Sequence, residues 1–207
     1  MVNRLRAIGA CRAPRVEAAM RAVERHLFVP EVGVQEAYAN EAILTKVIRG
    51  ATVSSISQPL MVAEMLDMLT AEPGHSVLEI GAGTGYNAAL LAHVVGPSGR
   101  VTTIEIDDDL AMRAERALAR AGFHDVVVLE GDGRLGVPDA APFDRIIVTA
   151  GAERVEETWA SQLVEGGRLV LPLANQSRAV ALRKIGGALV EVLDTPARFV
   201  PLRGPEG

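Results

Sequence analysis

Apolar positions along this chain change their spacing from one region to the next. Between residues 14 and 27 they recur at helical intervals, with Val16, Met20, Val23 and Leu27 on one stripe. Pro14 suits the first turn, and Phe28-Val29-Pro30 closes the pattern. The spacing predicts an amphipathic helix over 14–27. Residues 31–59 show no clear period and carry Gly, Ser and Pro. They read as an extended lid or arm in front of the core. Helical spacing returns over 60–70, where Met61, Met65 and Met68 fall at i, i+4 and i+7. A methionine stripe of this kind predicts core packing rather than a ligand box.

From residue 76 the pattern alternates between short apolar runs and helical stretches. Strands are predicted at 76–80, 100–105, 126–130, 144–149 and 168–173, and helices at 86–95, 108–121 and 155–163. Gly122 is placed to end the second of these helices in a left-handed cap. The last two runs, 178–185 and 188–193, flank Gly186-Gly187, a hairpin signal. The expected fold class is therefore α/β: a Rossmann-like, doubly wound, mostly parallel sheet of seven strands with an antiparallel C-terminal hairpin and an N-terminal helical and lid extension. Residues 1–72 read as the N-terminal helices and substrate lid, and 73–207 as the core, together one compact unit.

Composition narrows the class. The chain has 207 residues, 49% of them hydrophobic, enough for a buried sheet covered on both faces. A net charge of −5 with no basic block gives no nucleic-acid footprint. Cys11 is the single cysteine, so no internal disulfide or cysteine metal cluster can form. His26, His75, His93 and His124 are scattered without ligand spacing, and no metal is expected. The start lacks a signal-peptide core, and no stretch reaches the roughly 20 apolar residues of a membrane span. These features lead to the expectation of a cytoplasmic monomer with neither membrane nor nucleic acid as partner.

The chemistry concentrates after the first predicted strand. Val77-Leu78-Glu79-Ile80 runs into Gly81-Ala82-Gly83-Thr84-Gly85-Tyr86, a strand, a glycine turn and then a helix. Twenty residues past Gly85, the next strand ends in Glu105 and is followed by Ile106 and Asp107. This layout predicts a nucleotide-type cofactor site at the carboxyl end of a parallel sheet. The glycines let backbone approach a ligand, and Glu105 can accept from both ribose hydroxyls. A dinucleotide fingerprint would need a third glycine at position 86, which is Tyr86. A nicotinamide oxidoreductase is disfavoured on that ground. The spacing E-x-G-x-G-x-G instead suits S-adenosylmethionine, which has no pyrophosphate to seat on a helix N-terminus. Thr84 belongs to the same turn. The third strand ends in Glu130-Gly131-Asp132-Gly133, where Asp132 could accept from an adenine amino group and Gly133 could leave room for the ring. A plain D-G turn is the competing reading. Thr149-Ala150-Gly151, at the end of the fourth strand, could floor the reaction space.

These residues carry a likeness. The chain resembles the protein-L-isoaspartate O-methyltransferase family over nearly its whole length. The matching segments include RHLFVPE (25–31), SISQPLMVAEML (55–66), VLEIGAGTGYNAALLA (77–92), EGDG (130–133), FDRIIVTA (143–150), GGRLVLPL (166–173) and FVPL (199–202). The glycine motif is shared by class I methyltransferases, whereas S-I-S-Q-P with the two F-V-P segments is specific. The resemblance implies that Ser57 sits by the reacting carboxylate as the catalytic residue. It implies cofactor contacts at Glu79, Gly81, Gly83, Glu105, Asp132 and Gly133, joined by Thr84, Gly85 and Ile106 from the same motifs. The F-V-P-L segment, with Val200, Pro201 and Leu202, would flank a peptide substrate. The implied reaction is methyl transfer from S-adenosyl-L-methionine to the free carboxylate of an isoaspartyl residue in a peptide or protein. It releases S-adenosyl-L-homocysteine and an ester that closes to succinimide, which is protein repair. From the residues alone, Ser57 could instead cap the helix beginning near Pro59.

The likeness is weakest in the lid. Where the family usually reads G-x-G-Q-T-I-S-Q-P, this chain has Ser54-Ser55 before Ile56, and AYANEAILTKVIRG before that is atypical. This stretch looks more like a bacterial branch that methylates an aspartate of a ribosomally made modified peptide, giving aspartimide or isoaspartate. Such a dedicated carboxyl methyltransferase is the alternative to repair. A non-catalytic binding protein on the same fold is a third reading, disfavoured because the motif residues are all present.

Overall fold

The structure, a computed structural model, describes residues 1–205. The N-terminal part holds helices α1 (Val2–Ala7), α2 (Pro14–Ala22) and α3 (Val34–Ala37), strands β1 (Ile43–Ile48) and β2 (Ala51–Ile56), and helix α4 (Pro59–Leu69). The sheet strands follow: β3 (Ser76–Ile80), β4 (Arg100–Glu105), β5 (Val127–Glu130), β6 (Phe143–Val148), β7 (Leu163–Leu173), β8 (Arg178–Ile185) and β9 (Ala188–Pro196). Between them run α5 (Tyr86–Val95), α6 (Asp108–Arg120) and α7 (Glu157–Gln162). The seven strands lie in the order β5-β4-β3-β6-β7-β8-β9. The first five are parallel, and β8 and β9 close the sheet as an antiparallel hairpin. The expected fold class is the one observed. Strand order reverses about β3, so the crevice at its carboxyl end lies between β4 and β6.

Alternation along β3 builds both layers of core. Val77 faces one side with Leu90, Leu91, Met65 and Met68, while Leu78 and Ile80 face the other with Trp159. The methionine stripe is thus packing, with Met65 and Met68 buried and Met61 partly so. Arginines from the sheet hold the C-terminal end of α4. Arg168 donates to the Met68 carbonyl at 2.7 Å and Arg145 to that of Thr70 at 3.2 Å. Cations at a helix C-terminus satisfy carbonyls that lack an intrahelical partner. Among the described residues, no helix is long and apolar enough to cross a membrane.

Three expectations need correction. The helix predicted over 14–27 stops at Ala22; Val23 is extended, and residues Arg25–Phe28 form a 3-10 turn. The stripe is still inward, with Val16, Met20 and Val23 buried, but hydrophobic spacing could not see the break that turns Arg25 into the interior. The supposedly irregular lid contains a β1–β2 hairpin whose turn is Arg49-Gly50, both at positive φ. Arg-Gly is an uncommon way to fill a turn that favours Asn-Gly, so the usual signal was missing. Strand β7 begins five residues before the predicted 168, directly after the shortened α7.

Gly85 shows how closely the layers pack. It is the N-cap of α5 at φ 88°, and a Cβ there would lie 3.1 Å from the Ala114 carbonyl oxygen and from Leu118 Cγ of α6. Gly85→Ala is expected to lower unfolding free energy by about 1–3 kcal/mol, the usual scale for a non-glycine residue held in a disfavoured backbone region. Urea denaturation would measure it; an unchanged midpoint would show that the turn relaxes freely.

Candidate active site

Glu105 organises the site. The last residue of β4, it is buried, and its carboxylate accepts the Gly83 amide at 2.9 Å, the Ile106 amide at 3.0 Å and the Asp107 amide at 3.3 Å. The glycine turn after β3 is thereby tied to the end of β4. Gly81 and Gly83 have φ of 98° and 53°, and a Cβ on Gly81 would lie 2.5 Å from Thr149 Oγ1. Only glycine admits this approach of the β3 turn to the end of β6.

Three hollows meet around this turn. One cavity is lined by Glu105, Ile106, Leu110, Ile80, Ile104 and Gly133 among others. Its neighbour is walled by Gly81, Gly83, Thr84, Tyr86, Asn87 and Ser57 in part. The two share Ser55, Gly81, Gly83 and Thr149. An outer groove shares Ser55, Ser57 and Phe199 with the second cavity. Ser57 therefore stands between the interior and the groove. Its hydroxyl makes no hydrogen bond among the described residues, and Gln58, not Ser57, is the N-cap of α4. Helix capping is thus excluded as the role of Ser57 in this structure.

Other expected site residues divide. Gly81, Gly83, Thr84, Ile106 and Gly133 line the cavities, whereas Gly85 sits behind them. Glu79 does not reach a cavity. It is fully buried behind the turn, accepting from Thr103 Oγ1 at 2.6 Å and Asn87 Nδ2 at 2.8 Å. Its position on β3 next to Thr103 of β4 turns its side chain into the layer beneath the turn. Asp132 also faces away: it pairs with Arg134 at 2.7 Å and lines a surface hollow with Leu135 and Arg154. That pairing holds the Asp132 carboxyl below its usual range. Gly133 stays at the cavity because Trp159 donates to its carbonyl at 2.8 Å and Ile80 Cγ2 lies 2.4 Å from where a Cβ would be. Val200 lines both the first cavity and the groove, while Pro201 and Leu202 wall the cavity.

Several wall residues were not among the expected site residues. Val53, Ser54 and Ser55 of β2 cover the first cavity, which a hairpin can do but an irregular arm would not predict. The hairpin is pinned there by Lys46, whose ammonium meets Asp107 at 2.6 Å and Asp109 at 3.2 Å. Arg203 approaches Asp107 from the other side at 3.6 Å. The C-terminal segment is held by Gly151, whose amide donates to the Val200 carbonyl and whose carbonyl accepts from Leu202, at 2.7 and 2.8 Å.

Burial pushes the Glu79 carboxyl up to about 7, with the nearby Glu105 adding to the rise and its hydrogen bonds opposing it. The folded state thus holds this proton more tightly than the unfolded chain. The resulting stabilisation is complete below about pH 4.5 and is lost as pH rises through about 7. Glu79→Gln, which keeps an acceptor for Asn87, should flatten this decline. Urea titrations between about pH 4.5 and pH 8 would check it, and an unchanged slope would assign the decline to other groups.

The family model for protein-L-isoaspartate(D-aspartate) O-methyltransferase matches residues 1–207. A protein-L-isoaspartate O-methyltransferase of Methanopyrus kandleri is 42% identical, covering 100% of this chain and 91% of its own. One from Gloeobacter violaceus is also 42% identical, over 92% of this chain and 90% of its own. A solved protein-L-isoaspartate O-methyltransferase superposes with a TM-score of 0.87 at 32% identity and covers 98% of this chain, which spans 65% of that solved chain. A Plasmodium falciparum protein assigned the same name, solved with S-adenosyl-L-homocysteine, has a TM-score of 0.79 at 21% identity over 98% of this chain and 96% of its own, and shares the fold. With a match along its whole length and relatives at this level of identity, the chain belongs to the protein-L-isoaspartate(D-aspartate) O-methyltransferase family.

Proposed function

We propose that this protein is an S-adenosyl-L-methionine-dependent methyltransferase that esterifies the free carboxylate of an isoaspartyl residue in peptides and proteins. The observation that carries this reading is the placement of Ser57, with an unbonded hydroxyl, where the inner cavities open to the groove. The cavity residues fit the cofactor. Glu105 offers acceptor-only oxygens for a ribose diol, Ile80, Ile104 and Leu110 offer apolar walls for a base, and the glycine turn leaves backbone exposed. Asp132 could join these residues only by giving up part of its pairing with Arg134.

When bound, S-adenosyl-L-methionine supplies a methyl group on a positively charged sulfur. A carboxylate is already ionised at neutral pH, so the protein need not provide a strong base. Ser57 can donate to one carboxylate oxygen and leave the other free to attack. The C–S bond breaks as the C–O bond forms, and no proton moves. Strand β2 and the 199–202 segment wall the cavities, and alignment accounts for most of the protein's contribution. Relatives bearing the isoaspartate methyltransferase name at about 40% identity support the repair reading over a dedicated precursor peptide. We further propose a cytoplasmic monomer acting on protein, without nucleic acid or membrane; the net charge of −5 supports the lack of a nucleic-acid partner, and the single, free Cys11 suits the cytoplasm.

The direct test is methyl transfer from labelled S-adenosyl-L-methionine to two peptides differing only in isoaspartate or aspartate. Base-labile label is expected on the isoaspartyl peptide alone; label on the aspartyl peptide alone would overturn the reading. Glu105→Ala should weaken cofactor binding by about 10- to 150-fold, the value of hydrogen bonds to a charged group, as read by calorimetry. Unchanged affinity would remove Glu105 from the ribose site.

A further inference from the structure

Among the described residues Arg25 is the one arginine with no exposed surface, and no carboxylate pairs with it. Its Nε donates to the Ala37 carbonyl at 2.8 Å and its Nη2 to the Ser57 carbonyl at 2.9 Å. The guanidinium lies over the Tyr86 ring, 4.9 Å from its centroid. Among the described residues neither the buried Nη1 nor the buried Tyr86 hydroxyl has a well-formed hydrogen bond, though the two side chains interact with each other. An unpaired buried cation is expensive, and an apolar side chain of similar volume would often be better tolerated. What an apolar side chain cannot do is hold two carbonyls from separate segments on one rigid fork. The three groups involved are the end of α3, the link between β2 and α4, and the first residue of α5.

We infer that Arg25 is a positioning residue for methyl transfer, setting the Ser57 peptide, and through it the Ser57 hydroxyl, at a fixed place relative to the glycine turn. Holding the carbonyl of Ser57 fixes the plane of the 57–58 peptide and with it the place of the Ser57 Cα, from which the hydroxyl arm projects. Stacking on Tyr86 references that plane to α5, whose N-cap is the last glycine of the turn. Val23 and Glu24, extended between α2 and the 3-10 turn, bring Arg25 to this point. The hydroxyl itself makes no hydrogen bond among the described residues that would orient it. The inference rests on Ser57 as the group that orients the accepting carboxylate.

A double-mutant cycle separates positioning from general stability. Arg25→Met keeps the stem and removes the fork; Arg25→Lys keeps the charge without the fork and serves if the first variant does not fold. Each is combined with Ser57→Ala and assayed for kcat/KM on an isoaspartyl peptide, with cofactor affinity measured by calorimetry. Ser57→Ala and the Arg25 variant should each lower kcat/KM about tenfold or more, with cofactor affinity within about threefold of the parent. The double variant should be no worse than Ser57→Ala alone, because Arg25 acts through that hydroxyl. Losses that multiply in the double variant would overturn the inference, as would an Arg25 variant with parental turnover beside an impaired Ser57→Ala. A fully active Ser57→Ala would overturn the reading of Ser57 and the role of Arg25 with it.

Discussion

The contact on which the site depends is the carboxylate of Glu105 closing on the backbone amide of Gly83. A parallel sheet leaves the chain ends of neighbouring strands side by side, but nothing in the ladder fixes the loops beyond. Here one buried side chain at the end of β4 takes an amide from the β3 turn and two from the start of its own loop. Backbone donors in a buried site must find acceptors, and a carboxylate offers enough lone pairs to accept three and still face a ligand. Remove it, and both the turn and the edge of the cavity lose their common anchor.

Beneath this carboxylate lies a second. Glu79 occupies the adjacent strand, wholly buried, with only Thr103 and Asn87 as hydrogen-bond partners among the described residues. The contrast follows from supply of donors. Glu105 is surrounded by backbone amides of open turns, whereas Glu79 lies within a strand whose own amides are committed to the ladder. Desolvation therefore dominates at Glu79 and raises its affinity for a proton. Asn87, one of its partners, also lines the second cavity, so the buried acid reaches the site through an intermediary.

The outer walls are held by different physics. The hairpin, a two-stranded sheet marginal by itself, is fastened by Lys46 to the acidic start of α6. Asp107 does double duty there, capping the helix through the Leu110 amide while accepting Lys46. The C-terminal segment is fastened by backbone bonds to Gly151. The floor is thus a sheet edge, and the walls are two segments attached by a few polar contacts.

The residues themselves determined the doubly wound sheet, its closing hairpin and the glycine turn with Glu105, because period, glycine spacing and strand-end acids are local patterns that parallel sheets require. The same patterns do not carry depth. Glu79 and Asp132 carry the same kind of motif signal as Glu105, yet one points below the turn and the other pairs with Arg134 at the surface. Side-chain direction at a strand end is decided by the neighbouring strand and by the next turn, which no single segment contains. The β1–β2 hairpin was hidden because its turn is Arg-Gly and its strands alternate imperfectly. The interior position of Arg25 was decided only by tertiary structure, since an arginine on an amphipathic stretch reads as a solvent-facing charge until Ala37, Ser57 and Tyr86 are brought around it.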